Sequence, residues 1–393
     1  MEVMTPSQER RAARLAALVG PETEEDRLVR ENPDMVSYGE TWWRKNYAWI
    51  LQSGYKLRPR YAPDWTPPWR GTEQDPDKFE EGQDNNYYAI MDAVRVSDGA
   101  VVTLKQVDMS TQRTSIAEVK INEYLSSGPR ASDSRNHSAQ VSQVLQVPDE
   151  PHMKILVMPF LRPFHDPRFQ TFGEAVAFFT QLFEGLQFLH EHNIAHRDCT
   201  RNNIMMDATR LYPDLWHPSN IHKRRDWKGK AKHYTRTECP VKYYFIDYGL
   251  SEQYNRETAS TWPPLELPVH GGDKSAPENQ EKNYNTPCNP FATDIYYIGN
   301  LVRENFIQKY HGFNFMKGLI ADMVQDDPSK RPKIDEVVAR FAKIRKSLYP
   351  WQLRARPIRK KEWKVVTLWR LPGHFARAVR FVVTQKPAIP DPQ

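Results

Sequence analysis

Hydrophobic and polar positions follow a strand-like pattern in the first part of the chain. Residues 87–96 and 101–107 carry alternating or short apolar runs, and turn-forming residues at 97–99 join them, which predicts an antiparallel hairpin. Residues 155–157 form a short apolar run that predicts a further buried strand. The first part of the chain is therefore expected to be rich in β-structure.

Helical spacing takes over from residue 171. Apolar residues at 176–189 recur three or four positions apart, which is typical of a helix with one buried face. Thr171 and Glu174 have the spacing of a capping box at the start of this helix. The second part of the chain is therefore expected to be mainly helical.

Shorter helices are predicted outside this region. Residues 41–51 are rich in tryptophan and apolar residues, and Gly54 is a suitable stop for a helix there, whose aromatic side chains we expect in a core. Residues 115–125 predict another helix, and the polar N-terminal segment predicts a short one at 10–19.

These patterns predict an α+β fold of two lobes, with no internal repeat. A polar extension covers 1–35, a small β-rich lobe covers 36–160 and a larger α-helical lobe covers 161–350. A basic insert at 208–240 interrupts the second lobe, and a basic tail covers 351–393.

The net charge of +6 over 393 residues is concentrated in the tail, which holds ten Lys and Arg residues against two acidic residues. The insert holds seven Lys and Arg residues against one Asp between 223 and 236. Either segment could dock an acidic partner, or be a solvated surface of its own domain. No basic cluster is long, so nucleic-acid binding is not expected.

The sequence also bears on the compartment. No apolar run reaches the length of a membrane span, and residues 1–20 lack the apolar core of a signal peptide. The three cysteines lack metal-ligand spacing. Such a low cysteine content is typical of a protein in a reducing compartment. We therefore expect a cytoplasmic or nuclear protein.

The strongest chemical motif is His196-Arg197-Asp198 followed, after four residues, by Asn203. This is the H-R-D-x-x-x-x-N pattern of a phosphoryl-transfer loop. Such a loop holds a carboxylate for the proton of the incoming hydroxyl and an oxygen ligand for Mg²⁺. Asp198 is the candidate for the first task and Asn203 for the second.

Further motifs follow in the order that this chemistry requires. Asp247-Tyr248-Gly249 matches D-F-G with tyrosine for phenylalanine, and its Asp247 is a candidate magnesium ligand. Ala276-Pro277-Glu278 is a complete A-P-E. Upstream, Lys105 on the second hairpin strand and Glu118 on the next helix suit an ion pair that places the ammonium on phosphates. Taken alone, these two residues would be an ordinary surface pair.

Together these motifs resemble those of the eukaryotic protein-kinase superfamily. In detail the chain resembles protein-kinase-domain proteins of mushroom-forming (basidiomycete) fungi, over about residues 36–350. The segments behind the narrower likeness are 91–95, 98–99, 135–137, 157–161 and 195–207. The resemblance implies an enzyme that uses ATP and Mg²⁺ and phosphorylates a protein substrate.

The resemblance also implies roles for single residues. Asp198, Lys105 and Asn203 would be catalytic, and Asn203 and Asp247 would bind the metal. ATP would contact Lys105, Glu118, the gatekeeper Met158, the hinge residues Phe160 and Leu161, Met205 and Asp247. Structural or regulatory roles would fall to His196, Arg197, Tyr248, Gly249, Glu278, Asp294 and Arg331. Of these, Asp294 would hold the catalytic loop, and Glu278 would pair with Arg331.

The chain departs from the family pattern in several places. No glycine-rich loop precedes the first strand, and the stretch at 73–84 is acidic, so it would repel phosphates unless Mg²⁺ offsets it or it lies elsewhere. Thr200 replaces the lysine, and Gly271 the threonine, expected in serine/threonine kinases. Asn122 stands at a position where the family has an apolar residue, which questions the helix register or the stability of the active state.

Three functional hypotheses remain at this point. The first is an active protein kinase, acting on Ser/Thr rather than Tyr, which the retained motifs favour. The second is a pseudokinase that serves as a binding module, which Thr200 and Gly271 favour. The third is a small-molecule phosphotransferase, which the A-P-E motif and Arg197 disfavour. Arg197 also predicts control by phosphorylation, and the candidate sites are Thr258, Ser260 and Thr261. His196 and Cys199 are predicted to be packing residues.

Overall fold

In the computed structural model, residues 36–85, 87–110 and 113–392 are described. The helix predicted at 10–19 lies outside these ranges. The chain forms two compact units. The first contains residues 36–107, Gln143–Phe160 and Tyr212–His233, and the second contains the remaining described residues.

The first unit is built on an antiparallel sheet of five strands in the order β1-β2-β3-β5-β4. The predicted hairpin is present, and its register places Lys105 opposite Ile90. The elements of this unit are α1 (Tyr38–Lys45), α2 (Tyr47–Gln52), β1 (Tyr55–Lys56), β2 (Ile90–Arg95), β3 (Val101–Asp108), β4 (Gln143–Gln146) and β5 (Met153–Pro159).

The helix predicted at 41–51 is present as two short helices that meet at Asn46. The Asn46 side chain donates to the Trp42 carbonyl at 3.0 Å, which closes α1 locally, because asparagine competes with the helical hydrogen bonds. Gly54 follows α2 with a φ of +94°. Trp43 is fully buried in the core of this unit, as expected for the aromatic segment.

Two carboxylates of the acidic stretch at 73–84, those of Glu80 and Asp84, pair with buried arginines of the same unit. Arg60 lies 3.0 Å from carboxylate oxygens of both Glu40 and Asp84, and Arg58 lies 3.3 Å from Glu80. Burial opposes the ionisation of Glu40, but the charge of Arg60 brings its pKa below the usual range. The carboxylates of Glu40, Glu80 and Asp84 therefore have structural partners within the first unit.

The basic insert is packed structure over Tyr212–His233. Arg225 lies 2.6 Å from the buried carboxylate of Asp92, and Trp216 stacks on Phe160 with ring centroids 4.7 Å apart. An ion pair to a buried strand residue and a stacked, buried indole are not features of a solvated loop. Docking of an acidic partner on the exposed lysines of this insert stays a prediction.

The second unit is mainly helical, with two short sheets, β6-β8-β9 and β7-β10. Together the two units give an α+β fold, which confirms the predicted class. The elements of this unit are α3 (Arg113–Leu125), α4 (Gly128–Ser132), β6 (Arg162–Pro163), α5 (Phe172–Glu191), β7 (Ile194–Ala195), β8 (Ile204–Met206), β9 (Tyr243–Phe245), β10 (Glu252–Gln253), α6 (Pro290–Val302), α7 (Lys317–Met323), α8 (Ile334–Ser347), α9 (Pro350–Arg354) and α10 (Lys364–Val383).

The central helix α5 has half of the predicted capping box. The Thr171 hydroxyl accepts from the Glu174 N–H at 3.1 Å. The Glu174 carboxylate instead accepts from the Gln170 N–H at 2.6 Å and from the Thr237 N–H at 3.1 Å. The buried carboxylate thus ties the start of α5 to the segment before β9, a long-range contact that the local pattern does not contain.

The basic tail packs on the second unit. Leu353 and Phe381 are buried, and a β-carbon on Gly173 would lie 1.7 Å from the Ala388 carbonyl oxygen. Only glycine allows the tail backbone to approach the start of α5 so closely. In the described part of the chain, no helix has the length and apolar character needed to span a membrane.

Candidate active site

Asp294 organises the catalytic-loop segment from the buried helix α6. Its carboxylate accepts from the His196 N–H at 2.8 Å and the Arg197 N–H at 2.7 Å, and it also contacts His190 and Cys199. Burial opposes the charge, yet the hydrogen bond with His190 brings the pKa of Asp294 below its usual range. The loop backbone, with a left-handed φ of 65° at Arg197, is therefore held by one buried anion.

Asp198 is fixed through both oxygens of its carboxylate. The side-chain amide of Asn203 donates to Oδ2 at 2.7 Å and to the Asp198 carbonyl at 3.0 Å. The backbone N–H of Gly272 donates to Oδ1 at 2.8 Å. A carboxylate held in this way has a defined direction, which suits a group that must meet an incoming hydroxyl.

The electrostatics of Asp198 favour a proton acceptor. Burial raises the pKa of Asp198, the Gly272 N–H opposes this, and the nearby Asp247 carboxylate adds to the increase. A raised pKa makes the carboxylate a better base than an exposed aspartate while it still ionises.

Asn203 and Asp247 offer the ligand types that a magnesium–nucleotide complex needs. Because the Asn203 amide nitrogen is bonded to Asp198, its oxygen is the end left for a cation. Asp247 has a left-handed φ of 64°, an unfavourable backbone for a residue with a side chain. Mg²⁺ in nucleotide sites takes one or two protein oxygens and completes its shell with phosphates and water, so the residues present fit this ion.

Glu118 lies beside the Asp247-Tyr248-Gly249 turn. A β-carbon on Gly249 would lie 3.7 Å from Glu118 Oε2 and 3.3 Å from Asp247 Oδ1. The helix α3 therefore brings Glu118 next to the metal-ligand candidate within one unit.

Tyr248 replaces the usual phenylalanine without leaving its hydroxyl unpaired. It is fully buried, and its hydroxyl donates to Ser138 Oγ at 2.7 Å. Its ring centroid lies 5.1 Å from that of the buried His196, whose Nε2 is 3.2 Å from the Ile246 carbonyl oxygen. His196 thus occupies a packing position between the two motifs rather than a position exposed for acid–base work.

Gly271 allows the segment before A-P-E to lie on the catalytic carboxylate. A β-carbon at Gly271 would lie 2.5 Å from Asp198 Oδ1, closer than any real contact. The N–H of the next residue, Gly272, reaches the same oxygen. A backbone donor therefore contacts Asp198 in this segment, where the family pattern has a threonine.

We expect Gly271→Ala to reduce phosphate transfer by about 100-fold, because a displacement of the reacting groups by about 1 Å can have that effect. Gly318→Ala is the matched control, since Gly318 lies on α7 with no atom within 4 Å of an added β-carbon. Initial rates of both variants, with melting temperatures to establish folding, make the measurement. Equal rates for Gly271→Ala and the wild type would contradict the role given to this close approach.

The Arg197 side chain already has an anionic partner. Its guanidinium lies 3.3 Å from Glu266 Oε2, and the Tyr254 hydroxyl donates to the same carboxylate at 2.9 Å. The Glu266 backbone is held by a bridge to Cys288. Glu266 therefore gives Arg197 an anionic partner in this structure, and control by phosphorylation stays a prediction.

Glu266→Gln is expected to slow transfer by roughly fivefold, since a partly exposed charge pair is worth about 1 kcal/mol. Replacing Thr258, Ser260 and Thr261 together by alanine should leave the rate unchanged. Rates measured after phosphatase treatment compare these proteins. A triple alanine variant that transfers phosphate more slowly than the wild type would instead support control by phosphorylation of these residues.

Glu278 and Arg331 form a two-pronged buried ion pair. Arg331 Nη1 lies 2.5 Å from Glu278 Oε1, and Arg331 Nη2 lies 2.8 Å from Glu278 Oε2. Arg331 also donates to the Ala292 and Gln325 carbonyls. Thr293 donates to the same carboxylate at 2.8 Å. The pairing predicted for these residues is present, and it links the A-P-E segment to the turn before α8.

The remaining candidate residues are divided between the units. Lys105 lies on β3, Met158 on β5 and Phe160 just after β5, in the first unit. Leu161 and Met205 belong to the second unit, where Met205 pairs with Pro163 and Tyr244. The Lys105–Glu118 pair joins residues of different units and stays a prediction.

Two residues questioned by the sequence have structural positions. Burial, followed by the charge of Asp294, raises the pKa of Cys199 well above the usual thiol range, so this residue packs as a neutral thiol. Asn122 is buried on α3 and donates to the Glu118 carbonyl at 2.9 Å, while its Oδ1 has no hydrogen-bond partner among the described residues. The buried asparagine is thus accommodated within the helix, which costs one oxygen its hydrogen bond in the described part of the chain.

Gly272 and Glu266 are the functional candidates that the sequence did not indicate. Gly272 acts through its backbone N–H, so its side chain carries no signal, although the Gly-Gly pair itself was visible. Glu266 lies in an irregular segment whose contact with Arg197 depends on tertiary structure.

A polar cavity of about 240 Å³ lies in the second unit beside the catalytic loop. Thr200 and Gly272 line it next to Asp198, and Arg201, Asp273 and Glu304 add charges of both signs. The cavity is large enough to hold one amino-acid side chain.

Comparisons with known proteins give one relevant sequence match. No family model matches the chain. The chain is 22% identical over 170 residues to the serine/threonine-protein kinase CAK1 of Saccharomyces cerevisiae, which covers 43% of this chain and 39% of the length of that protein. A crystal structure of the Rad53 kinase domain and SCD2 aligns with 63% of this chain and 84% of its own, at 13% identity and a TM-score of 0.39. Over part of its length the chain is thus similar in sequence to a protein kinase.

Proposed function

We propose that this chain is an ATP-dependent protein kinase that transfers the γ-phosphate to a protein hydroxyl. The observation that carries the proposal is the fixed group of Asp198, Asn203 and Asp247 in the second unit, with the loop held by Asp294. Each of these residues has an environment that suits its proposed task. The similarity to a serine/threonine kinase supports serine or threonine, rather than tyrosine, as the acceptor.

In the proposed reaction, the acceptor oxygen forms a bond to the γ-phosphorus while the bond from that phosphorus to the ADP oxygen breaks. Asp198 takes the proton of the acceptor hydroxyl, and ADP leaves with the bridging electron pair. Asn203 and Asp247 would hold Mg²⁺, which offsets the negative charge of the phosphates. Lys105 is proposed to contact the phosphates, and Glu118 is proposed as its partner.

The absence of a lysine at Thr200 predicts a slow enzyme. One missing positive charge near the transferred phosphate costs about 2–3 kcal/mol, or roughly 30–150-fold in rate. The backbone donor from Gly272 orients Asp198 but supplies no full charge. The polar cavity at Thr200 is proposed to receive a side chain flanking the acceptor.

A pseudokinase that serves as a binding module is the second candidate. The lack of a glycine-rich phosphate loop before β2 favours it, because nucleotide affinity would then be low. A small-molecule phosphotransferase is less well supported, since the A-P-E segment is built into the core through Arg331.

Two narrower statements also remain proposals. The likeness to protein-kinase-domain proteins of basidiomycete fungi rests on the sequence segments given above. A cytoplasmic or nuclear location rests on the low cysteine content, and all three cysteines are free thiols.

The test is incorporation of labelled phosphate from ATP into the purified protein and into generic Ser/Thr and Tyr substrates at millimolar ATP. We expect slow, Mg²⁺-dependent incorporation, mainly on serine or threonine, that stops when the metal is chelated. Binding of Mg-ATP without any transfer, also after phosphorylation by another kinase, would favour the pseudokinase.

A further inference from the structure

The outward side of the C-terminal helix α10 is apolar. Leu368, Trp369, Phe375, Val379 and Val383 are exposed by 65%, 81%, 71%, 45% and 74%. Successive residues of a helix turn by about 100°, so Leu368, Phe375, Val379 and Val383 share one side and Trp369 lies at its edge. A surface helix normally directs its polar side to water, whereas α10 directs large apolar side chains to water.

The opposite side of α10 is anchored on the second unit. Phe381 is buried, Arg380 forms an ion pair with Glu238, and Arg377 donates to Gln170 at 3.4 Å. These contacts involve parts of the unit far from α10 in sequence. The helix is therefore held in place while none of the described residues covers its apolar side, and it cannot turn that side inward without losing these contacts.

Positive charge accompanies the apolar side. Lys360, Lys361 and Lys364 are exposed at the start of α10. Glu362, the acidic residue among them, is engaged by both Arg356 and Arg370. The start of the helix thus presents a local excess of positive charge next to large apolar side chains.

We propose that the apolar side of α10 binds the surface of an anionic phospholipid bilayer. Exposed lysines next to tryptophan, leucine and phenylalanine are the combination that an interfacial helix uses: the cations meet lipid phosphates and the apolar side chains enter the acyl boundary. Trp363 and Trp369, exposed by 80% and 81%, suit this boundary because the indole is apolar with one polar N–H.

The structure favours a bilayer over two other occupants. A protein groove that wraps around α10 would have to displace the contacts of Phe381 and Arg380. A second copy of the chain would bring two sets of lysines together, which is unfavourable. A flat anionic surface needs neither change. The proposal does not depend on the proposed catalytic function.

Co-sedimentation of the full chain with vesicles tests the proposal. We expect the protein to sediment with phosphatidylcholine vesicles that contain phosphatidylserine, and much less with phosphatidylcholine alone. A Leu368→Gln/Phe375→Gln/Val379→Gln variant should lose this binding by about 100-fold or more, because three large apolar side chains no longer leave water. A Lys360→Gln/Lys361→Gln/Lys364→Gln variant should bind about tenfold more weakly or worse, and its residual binding should be less sensitive to salt.

Val96→Gln is the control, since Val96 is an exposed apolar residue outside the helix. All substituted positions are exposed, so melting temperatures should match the wild type, and a variant that has unfolded is recognised by this measurement. The proposal is overturned if the wild type does not sediment with the anionic vesicles, or if the apolar variant binds them equally well. It is also overturned if the wild type is a dimer that the apolar variant converts to a monomer and no vesicle binding is seen.

Discussion

Asp247→Asn is expected to abolish Mg²⁺-dependent ATP binding, with an affinity loss of about 100-fold or more, because this carboxylate is the charged magnesium ligand of the proposed site. Asp198→Asn should leave binding within about twofold and abolish phosphate transfer. The two residues are proposed to have different tasks, one in metal binding and one in proton transfer. Asp247→Asn and Asp198→Asn should therefore separate ATP binding from phosphate transfer.

Calorimetric titration with ATP, with and without Mg²⁺, measures the binding, and labelled-phosphate incorporation measures the transfer. Asn203 donates to Asp198 in the folded protein, so Asp198→Asn places two amides in contact, and a melting curve must show that the fold is kept. Wild-type affinity in Asp247→Asn would remove this residue from the metal site. Equal phosphate transfer by Asp198→Asn and the wild type would instead contradict the protein-kinase proposal and favour the pseudokinase that serves as a binding module.

The fold was predictable where the pattern is local. The hairpin of β2 and β3, the helix α3 and the long helix α5 all follow from the spacing of apolar residues. The single buried face expected for α5 was wrong, because this central helix is buried on nearly all sides, including the consecutive residues 173–179. The break at Asn46 was not predicted, since it depends on one side chain that bonds to its own helix. Glu174 likewise took a partner from a distant segment in place of the local cap.

The sequence indicated the residues of the candidate site but not most of their contacts, and the roles of these residues stay predictions. The motifs carry the identities of Asp198, Asn203 and Asp247, because phosphoryl transfer restricts the side chains that can serve. One contact of Asp198 comes from the backbone N–H of Gly272, which carries no residue-specific signal in the sequence. The partners of Glu80 and Asp84 in the acidic stretch, Arg58 and Arg60, are likewise recognised only when the chain is folded.

Glu278→Gln is expected to destabilise the protein by about 3–5 kcal/mol, because it leaves the guanidinium of Arg331 buried without its counter-charge. Glu191→Gln is the matched control. Glu191 pairs with Arg135 on the surface, where both side chains are 40% exposed, so that its removal should cost less than about 1 kcal/mol. Urea unfolding of the wild type and both variants, analysed at constant slope, gives the two differences.

The pH dependence provides a second test of the same pair. Burial opposes the ionisation of Glu278, but the hydrogen bonds and charge of Arg331 bring its pKa below the usual range. The stability that the pair contributes is therefore present above the pKa of an unfolded glutamate and is lost as the pH falls through the lower, folded value. The difference between wild type and Glu278→Gln should accordingly shrink on acidification, while Glu191→Gln stays near the wild type throughout. A difference that is small at neutral pH, or that does not change with acid, would show that the pair contributes little and that the A-P-E segment is held mainly by its packing.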